Sequence, residues 1–277
     1  MIEKLKGDTT SIEWVLAVAR AKGMRAAVWN PQRGCSRAGA GCDHCWAAKI
    51  AHMRALQKNP KVKAKYGGLT RKVGERIEFN GVVRTVPEDL GLPGRTKAPT
   101  VYFMGSETDL FHPNADWKFT EIYFRLAAMS PHHLFLVLTK RPDIMRAFIE
   151  AGGLDYSGQN IWLGTSVWDQ PSANKYIPDL LAVPAHKKFV SYEPAREAVD
   201  FRHWIDPPWH LSEWKIDWLI AGCLSKPNQP IPEGVPDLLH DQCKQHGRAF
   251  FYKQDVIDGK LVHLPNLNGQ PCIEVPI

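Results

Sequence analysis

The chain of 277 residues is 44% hydrophobic and 23% charged, with a formal net charge of +6. This composition is typical of a soluble globular protein, and no apolar run approaches the roughly 18 residues that a membrane span requires. Because the N-terminal stretch MIEKLKGDTTSIEW lacks the features of a signal or transit peptide, we expect a cytoplasmic protein with no membrane partner and with reduced cysteines.

The first predicted strand, AAVWNP, leads into the loop GCSRAGAGCDHCWA, which contains Cys35, Cys42 and Cys45. Three clustered thiols fit a 4Fe-4S cluster with one open iron, to which S-adenosylmethionine could bind. They also fit a zinc site, a redox pair of Cys42 and Cys45, or inert buried thiols. The candidates for a fourth zinc ligand are His44, His52, Cys223 and Cys243.

After the loop, CWAAKIAHMRALQKNPKVKAKY predicts a helix that Asn59-Pro60 would close. Its apolar stripe would consist of Ile50, Met53, Ala55 and Leu56. The next segment, ERIEFNGVVRTV, predicts a β-hairpin with its turn at Asn80-Gly81. We place this hairpin in an insertion of about 70–98 that follows the cysteine loop and its helix.

Six further apolar strands follow, separated by helical or irregular spacers: TVYFMGS, HLFLVLTK, NIWLGTSV, KKFVSYEP, DWLIAGC and RAFFYKQ. With the first strand they predict an α/β fold of parallel βαβ units, which we interpret as one domain over residues 1–277. Nearly every strand ends in polar residues, and the carboxyl ends of parallel strands meet at one edge of a sheet. The sequence therefore predicts a polar pocket at that edge.

The positive charge is concentrated between Arg20 and Arg76, where fourteen basic residues face two acids, Asp43 and Glu75. The segment's local charge is +12, which leaves −6 for the rest of the chain. A basic segment beside the cysteine loop favours a polyanion such as nucleic acid as partner, although a solvated lysine-rich helix face gives the same pattern. The candidates for stacking an unpaired base are Trp168, Trp204, Trp209 and Trp214.

Several segments resemble, in order, a known group: IEW, WNPQRGCSRAGAGCDHCWA, SETDLFHP, VLTKRP, IWLGTSVWDQ, FVSYEPAREAVDF, IDWLIAG and GRAFFYKQ. They are similar to the phage-associated three-cysteine family of radical S-adenosylmethionine-like proteins, over about Ile12 to Gln254. The resemblance implies a partial (βα) barrel of the radical SAM type. It also implies a 4Fe-4S cluster bound by Cys35, Cys42 and Cys45, with S-adenosylmethionine as the second cofactor.

The resemblance further implies roles for residues at the strand ends. Gly105, Ser106 and Asp109 would line the site near the methionine amino group, and Lys140 would pair with its carboxylate. The candidates for contact with ribose or substrate are Thr165, Ser166 and Glu193. His44 would lie near the adenine or act as a solvent-facing spacer. Glu193 and Lys140 would be the catalytic residues.

The function implied is a radical enzyme that modifies or isomerises a nucleobase in phage DNA hypermodification. One example is moving an amino-acid group of a thymine adduct from a nitrogen to a carbon linkage. The substrate would be DNA or a modified nucleotide, an external donor would supply electrons, and the enzyme would act in the host cytoplasm. Two alternatives remain: a zinc-stabilised nucleic-acid-binding protein without catalysis, and a repair lyase that splits DNA photoproducts.

Overall fold

A computed structural model of the protein describes residues 2–152, 158, 160–208 and 213–276, and it has a mixed α/β fold built on an eight-stranded, mostly parallel sheet. The strands are β1 Arg25–Trp29, β2 Thr100–Met104, β3 Leu134–Thr139, β4 Ile161–Val167, β5 Lys187–Tyr192, β6 Trp218–Gly222, β7 Ala249–Ile257 and β8 Lys260–His263. They lie side by side in chain order. Strands β1 to β7 are parallel, and β8 returns antiparallel to β7. The seven predicted strands are confirmed as β1 to β7.

Helices connect the parallel strands, as crossover geometry requires. They are α1 Glu13–Ala21, α2 Trp46–Ala55, α3 Pro60–Tyr66, α4 Leu92–Arg95, α5 Trp117–Ala128, α6 Pro142–Gly152, α7 Gln170–Ala182, α8 Arg202–Ile205 and α9 Val235–Gln245. Among the described residues, α5, α6, α7, α8 and α9 lie in turn in the connections from β2 to β7. No helix in the described ranges has the length and apolar character needed to cross a membrane.

The sheet curls around α1, which fills its inner face. The Trp14 ring lies 4.8 Å from that of Phe103 on β2 and 5.8 Å from that of Phe189 on β5, although two strands lie between. In a flat sheet β2 and β5 would be about 14 Å apart, so one indole can reach both only where the sheet bends. This curvature is consistent with a partial barrel, whose edges are β1 and β8.

Successive side chains of a strand point to opposite faces of the sheet, so every second residue faces the inner side where α1 lies. Phe189 and Phe251 pack in the same apolar cluster as α1. The side chains further along the same strands, Ser191, Glu193 and Lys253, line a cavity. The inner face therefore changes from apolar near α1 to polar at the carboxyl ends, where the sequence analysis placed the site.

The predicted helix after the cysteine loop is in fact two helices, and Asn59-Pro60 begins the second helix. Asn59 accepts a hydrogen bond from the Lys61 amide at 3.0 Å, and Pro60 occupies the first turn of α3, where its missing N–H costs nothing. The predicted stripe is also wrong at two positions, because Met53 and Leu56 are exposed.

The hairpin follows α3 as expected, but its turn is not Asn80-Gly81. Thr70–Val73 pairs with Arg76–Phe79, so the turn lies at residues 74–75. Tertiary contacts use the backbone of Gly81: its amide donates to Cys35 O at 2.9 Å, and its carbonyl accepts from Asn114 Nδ2 at 2.9 Å. These bonds hold the 80–81 segment against the cysteine loop instead of forming a two-residue hairpin turn.

Candidate functional site

A cavity of about 660 Å³ lies at the carboxyl ends of the parallel strands, within the size range of small-molecule and cofactor sites. The structure brings most of the predicted site residues into its lining: Cys35, Cys42, His44, Cys45, Gly105, Ser106, Asp109, Lys140, Ser166 and Glu193. Thr165 is not among the lining residues, because it is fully buried and its hydroxyl donates to Thr139 O at 3.0 Å.

The start of the cysteine loop is fixed to the end of β2. The Gly34 amide donates to Glu107 O at 3.1 Å, and Thr108 Oγ1 donates to Gly34 O at 2.7 Å. Gly34 has a φ of +97°, and a β-carbon there would collide with the Val82 carbonyl. Glycine is therefore required immediately before Cys35.

The middle of the loop packs on Trp168, which follows β4 and is buried. A β-carbon on Gly41 would lie 2.6 Å from the indole, and one on Gly39 would collide with it. Arg196 adds a hydrogen bond of 3.2 Å to Ala40 O. The small residues of the loop thus fit an aromatic platform, and Trp168 supports the cysteines instead of being open to an unpaired base.

Burial dominates the environment of two of the thiols. It raises the pKa of Cys35 to about 12, and it also raises the pKa of Cys45 above its ordinary value. A thioredoxin-like pair requires the opposite shift, toward a reactive thiolate. Such a shift belongs to the first cysteine of the motif, here Cys42, so the raised values at Cys35 and Cys45 leave the redox-pair interpretation open.

The spacing of the sulfur atoms bears on the zinc interpretation. Among the described residues, which include all six cysteines, one group brings three metal-ligating atoms within 4.8 Å of one another, and that group lies elsewhere. A tetrahedral zinc ion with Zn–S bonds of about 2.3 Å would hold three thiolates roughly 3.8 Å apart. Cys35, Cys42 and Cys45 do not form such a group, so their three sulfur atoms do not all lie within 4.8 Å of one another. Two of the residues proposed as a fourth zinc ligand have other surroundings. His52 forms a hydrogen bond of 3.1 Å with Thr70 Oγ1, and Cys243 is buried in an apolar cluster.

The carboxylate of Asp109 is fully engaged by protein donors. Its Oδ1 accepts from Thr139 Oγ1 at 2.7 Å and from the Phe111 amide at 3.1 Å. Its Oδ2 accepts from Arg141 Nη1 at 2.8 Å and from the Lys140 amide at 3.2 Å. Asp109 thus ties the ends of β2 and β3 together from within the cavity lining, and its place near the amino group of S-adenosylmethionine stays a prediction.

Arg141 carries that anchor to the cysteine loop. Its guanidinium lies 3.6 Å from Cys35 Sγ and donates to Ser36 O at 2.9 Å and to Ser36 Oγ at 3.2 Å. Ser36 Oγ also lies 2.7 Å from His112 Nε2. Arg141 was not among the site residues predicted from the sequence, although it lies in the strand end TKR beside Lys140.

Lys140 is the available cation of the cavity. It is half-buried, and its ammonium forms no ion pair with any residue in the described part of the chain. It lies close enough to Cys45 to act electrostatically on that thiol. A free cation beside the cysteines is suited to an anionic group of a ligand.

Glu193 and Lys253 form an ion pair in the cavity wall. Ser191 Oγ donates to the other carboxylate oxygen of Glu193 at 3.0 Å. Cys223, on the next strand end, lies within the electrostatic range of this pair, and burial raises its pKa to about 12. Lys253 was missed by the sequence analysis as a site residue, because its partner lies sixty positions away.

Some basic residues of the Arg20–Arg76 segment form ion pairs within the protein, and others form none within the described residues. Buried Glu107 pairs with Arg33 and Arg54 and accepts from Tyr66 Oη at 2.6 Å, which attaches α2 and α3 to the end of β2. A second group forms no ion pair within the described residues: Lys49, Lys58, Lys61, Lys63, Arg71 and Lys72. They lie on α2, on α3, on the hairpin and, for Lys58, in the connection between α2 and α3.

One tryptophan at the cavity is open to solvent, and it is not one of the predicted four. Trp46, the first residue of α2, is 48% exposed and lines the cavity. Trp204 packs against Phe201, Trp214 is exposed away from the cavity lining, and Trp209 lies outside the described residues.

Comparison with known proteins identifies a family. A family model described as "Protein of unknown function (DUF5131)" matches residues 9–260. No curated protein and no solved structure matches the chain. The match corrects the assignment to the phage-associated three-cysteine radical S-adenosylmethionine-like family, because the family it identifies is an uncharacterised one.

Proposed function

The chain belongs to the DUF5131 family of unknown function, so its activity must be inferred from its own residues, and we propose that it is a radical S-adenosylmethionine enzyme. In this proposal Cys35, Cys42 and Cys45 bind a 4Fe-4S cluster, and the substrate is a nucleobase. The observation that carries the proposal is the placement of three thiols in the lining of one cofactor-sized cavity.

The residues present fit such a cluster. Iron–sulfur clusters are held by cysteine thiolates, and Cys35, Cys42 and Cys45 all line the same cavity. The fourth thiol in the lining, Cys223, lies in the electrostatic range of Glu193 and Lys253. Three thiols at one place leave one iron free to bind a ligand. When bound, the cluster would supply the electron that cleaves S-adenosylmethionine to a 5′-deoxyadenosyl radical.

The chain's own groups would orient the cofactor and substrate. Lys140 is placed to pair with the carboxylate of the methionine portion. Arg141 holds the loop at Ser36 and donates toward Cys35 Sγ, a contact of the kind that tunes a cluster's reduction potential. The Glu193–Lys253 pair lies in the same lining and offers a carboxylate and an ammonium to a polar substrate.

The basic surface supports a nucleic-acid substrate. The unpaired lysines and arginines lie on α2, on α3, in the connection between these helices and on the hairpin, and two of these elements also line the cavity, through Trp46, Ile50, Glu78 and Phe79. Cations would bind the phosphates, and exposed Trp46 would stack a base at the entrance. In its most specific form the proposal is the rearrangement of a thymine adduct during phage DNA hypermodification.

The first test is iron and sulfide analysis after anaerobic reconstitution, together with measurement of 5′-deoxyadenosine. We expect about four irons per chain and formation of 5′-deoxyadenosine under reducing conditions. Both should be lost in Cys35→Ala, Cys42→Ala and Cys45→Ala. The matched control Cys223→Ala removes a thiol from the same cavity and should keep its iron. Zinc bound by the three loop cysteines would instead favour the non-catalytic nucleic-acid-binding protein.

The second test addresses the substrate. Binding of a single-stranded oligonucleotide should weaken with salt and weaken further in Arg71→Gln/Lys72→Gln. The control Arg125→Gln removes an exposed arginine from α5, away from this surface, and should leave binding unchanged. Equal affinity in both variants would refute the nucleic-acid part of the proposal.

A further inference from the structure

The chain after β8 returns to the sheet and lies against β7. The Tyr252 amide donates to Cys272 O at 2.8 Å, and the Glu274 amide donates to Phe250 O at 3.1 Å. Residues 272 and 274 are two apart in extended backbone, so their side chains lie on the same side. Helix α9 packs on β7 as well.

Three side chains of metal-ligating type meet there. His240 of α9, Cys272 and Glu274 each place one ligand atom within 4.8 Å of the other two. Among the described residues, this is the group in which three metal-ligating atoms lie so close together. The set combines an imidazole, a thiol and a carboxylate. None of the three belongs to the lining of the large cavity.

Known hydrogen bonds account for two of these side chains but not for the third. Cys272 Sγ donates to Phe250 O at 3.4 Å, and Glu274 Oε2 accepts from the Phe250 amide at 2.9 Å. His240 Nδ1 is buried and has no hydrogen-bond partner in the described structure. The carboxylate of Asp241, at 3.7 Å, is beyond hydrogen-bond distance. An unpartnered buried polar atom costs free energy unless something binds it.

A second thiol, outside this group of three, lies one helical turn further along α9. Cys243 follows His240 by three residues, a spacing that puts both side chains on the same helix face. It is fully buried in the same apolar cluster as Cys272. It also lies within electrostatic range of both Cys272 and Glu274.

We propose that His240, Cys272 and Glu274 bind a zinc ion that fastens the C-terminal segment to α9. Mixed nitrogen, sulfur and oxygen ligands suit zinc, and solvent beside the exposed Glu274 can supply the fourth ligand. On binding, the Cys272 thiol loses its proton to solvent, and Cys272 gives up its bond to Phe250 O. Glu274 keeps its bond from the Phe250 amide through Oε2 and can ligate through Oε1.

Zinc analysis of the variant Cys35→Ala/Cys42→Ala/Cys45→Ala tests this site without interference from the loop. We expect about one zinc per chain both in this triple variant and in the reconstituted wild-type protein. Adding Cys272→Ser or His240→Gln should remove the zinc, whereas Cys223→Ala and His246→Gln should not. A zinc-free triple variant, or undiminished zinc after Cys272→Ser, would overturn the proposal.

Cobalt substitution supplies a measurement that does not depend on the folding of the single variants. Cobalt loaded into the triple variant should show thiolate-to-metal charge-transfer absorption, because Cys272 supplies a thiolate ligand at this site. Absence of that absorption contradicts the site. The iron and 5′-deoxyadenosine assays depend on different cysteines, so either proposal can fail while the other stands.

Discussion

Replacing Arg141 by methionine is expected to destabilise the protein by about 3 kcal/mol. The ion pair of Arg141 with Asp109 is buried, with side-chain exposures of 10% and 7%, and removing one partner of such a pair costs about 3–5 kcal/mol. We expect the lower end of this range because Asp109 retains Thr139 and two backbone amides as donors. The loss also includes two bonds to Ser36.

A double-mutant cycle isolates the pair. Asp109→Asn should cost a similar amount, and the variant carrying both changes should be less destabilised than the sum of the two, by about 1–3 kcal/mol. Free energies of unfolding are measured by urea titration of the metal-free protein. The control pair Glu121 and Arg125 is exposed on α5, and its coupling should not exceed about 0.5 kcal/mol.

The same variants test whether the Asp109–Arg141 pair also affects metal binding by the loop cysteines. Because the Arg141 guanidinium lies 3.6 Å from Cys35 Sγ and holds the backbone of Ser36, Arg141→Met should also lower the iron bound per chain after reconstitution. The view that this pair holds the loop would be refuted by three results together. Each single variant would lose less than about 1 kcal/mol of unfolding free energy, the two losses would be additive, and the iron content would be unchanged.

Three further outcomes are expected. Gly41→Ala should lower both iron content and thermal midpoint, because its β-carbon would lie 2.6 Å from the Trp168 indole, at a cost of about 1–3 kcal/mol. Gly94→Ala, with open space around it, is the control, and equal effects would contradict the argument. Lys140→Met should weaken S-adenosylmethionine binding about tenfold or more in calorimetry, and unchanged affinity would remove Lys140 from the site. Burial lowers the pKa of His133, so the unfolded chain binds more protons below about pH 6.5 and stability should fall as the pH drops. His133→Asn should make that decline shallower in urea titrations, and an identical slope would disprove the assignment.

The strands could be predicted because each is an apolar run long enough to be buried on both faces. β3 and β4 are almost wholly buried, and such sequences have few alternatives. Once the strands are parallel, their polar ends must meet at one edge. This rule brought Lys140 and Ser166 to the cavity without any knowledge of their contacts.

The interactions within the site could not be predicted, because they join residues far apart in the chain. The sequence resemblance implied that Asp109 lies at the ligand. The three-dimensional structure is needed to show that its carboxylate forms an ion pair with Arg141. The Asn80-Gly81 turn failed for the same reason, since contacts with Cys35 and Asn114 override the local preference. Trp168 likewise resembles a free aromatic in sequence and proves to be the platform of the loop.

The packing of Trp14 also constrains the order in which the protein folds. Its indole contacts Phe103, Phe189 and Trp218. The helix is synthesised early, but some of the residues that bury it are synthesised up to about two hundred residues later. Contacts of such long sequence separation slow folding, and the apolar face of α1 stays unprotected until β6 has been made. Nascent chains that stop before β6 should therefore aggregate or recruit chaperones, whereas chains that include β6 can bury this helix.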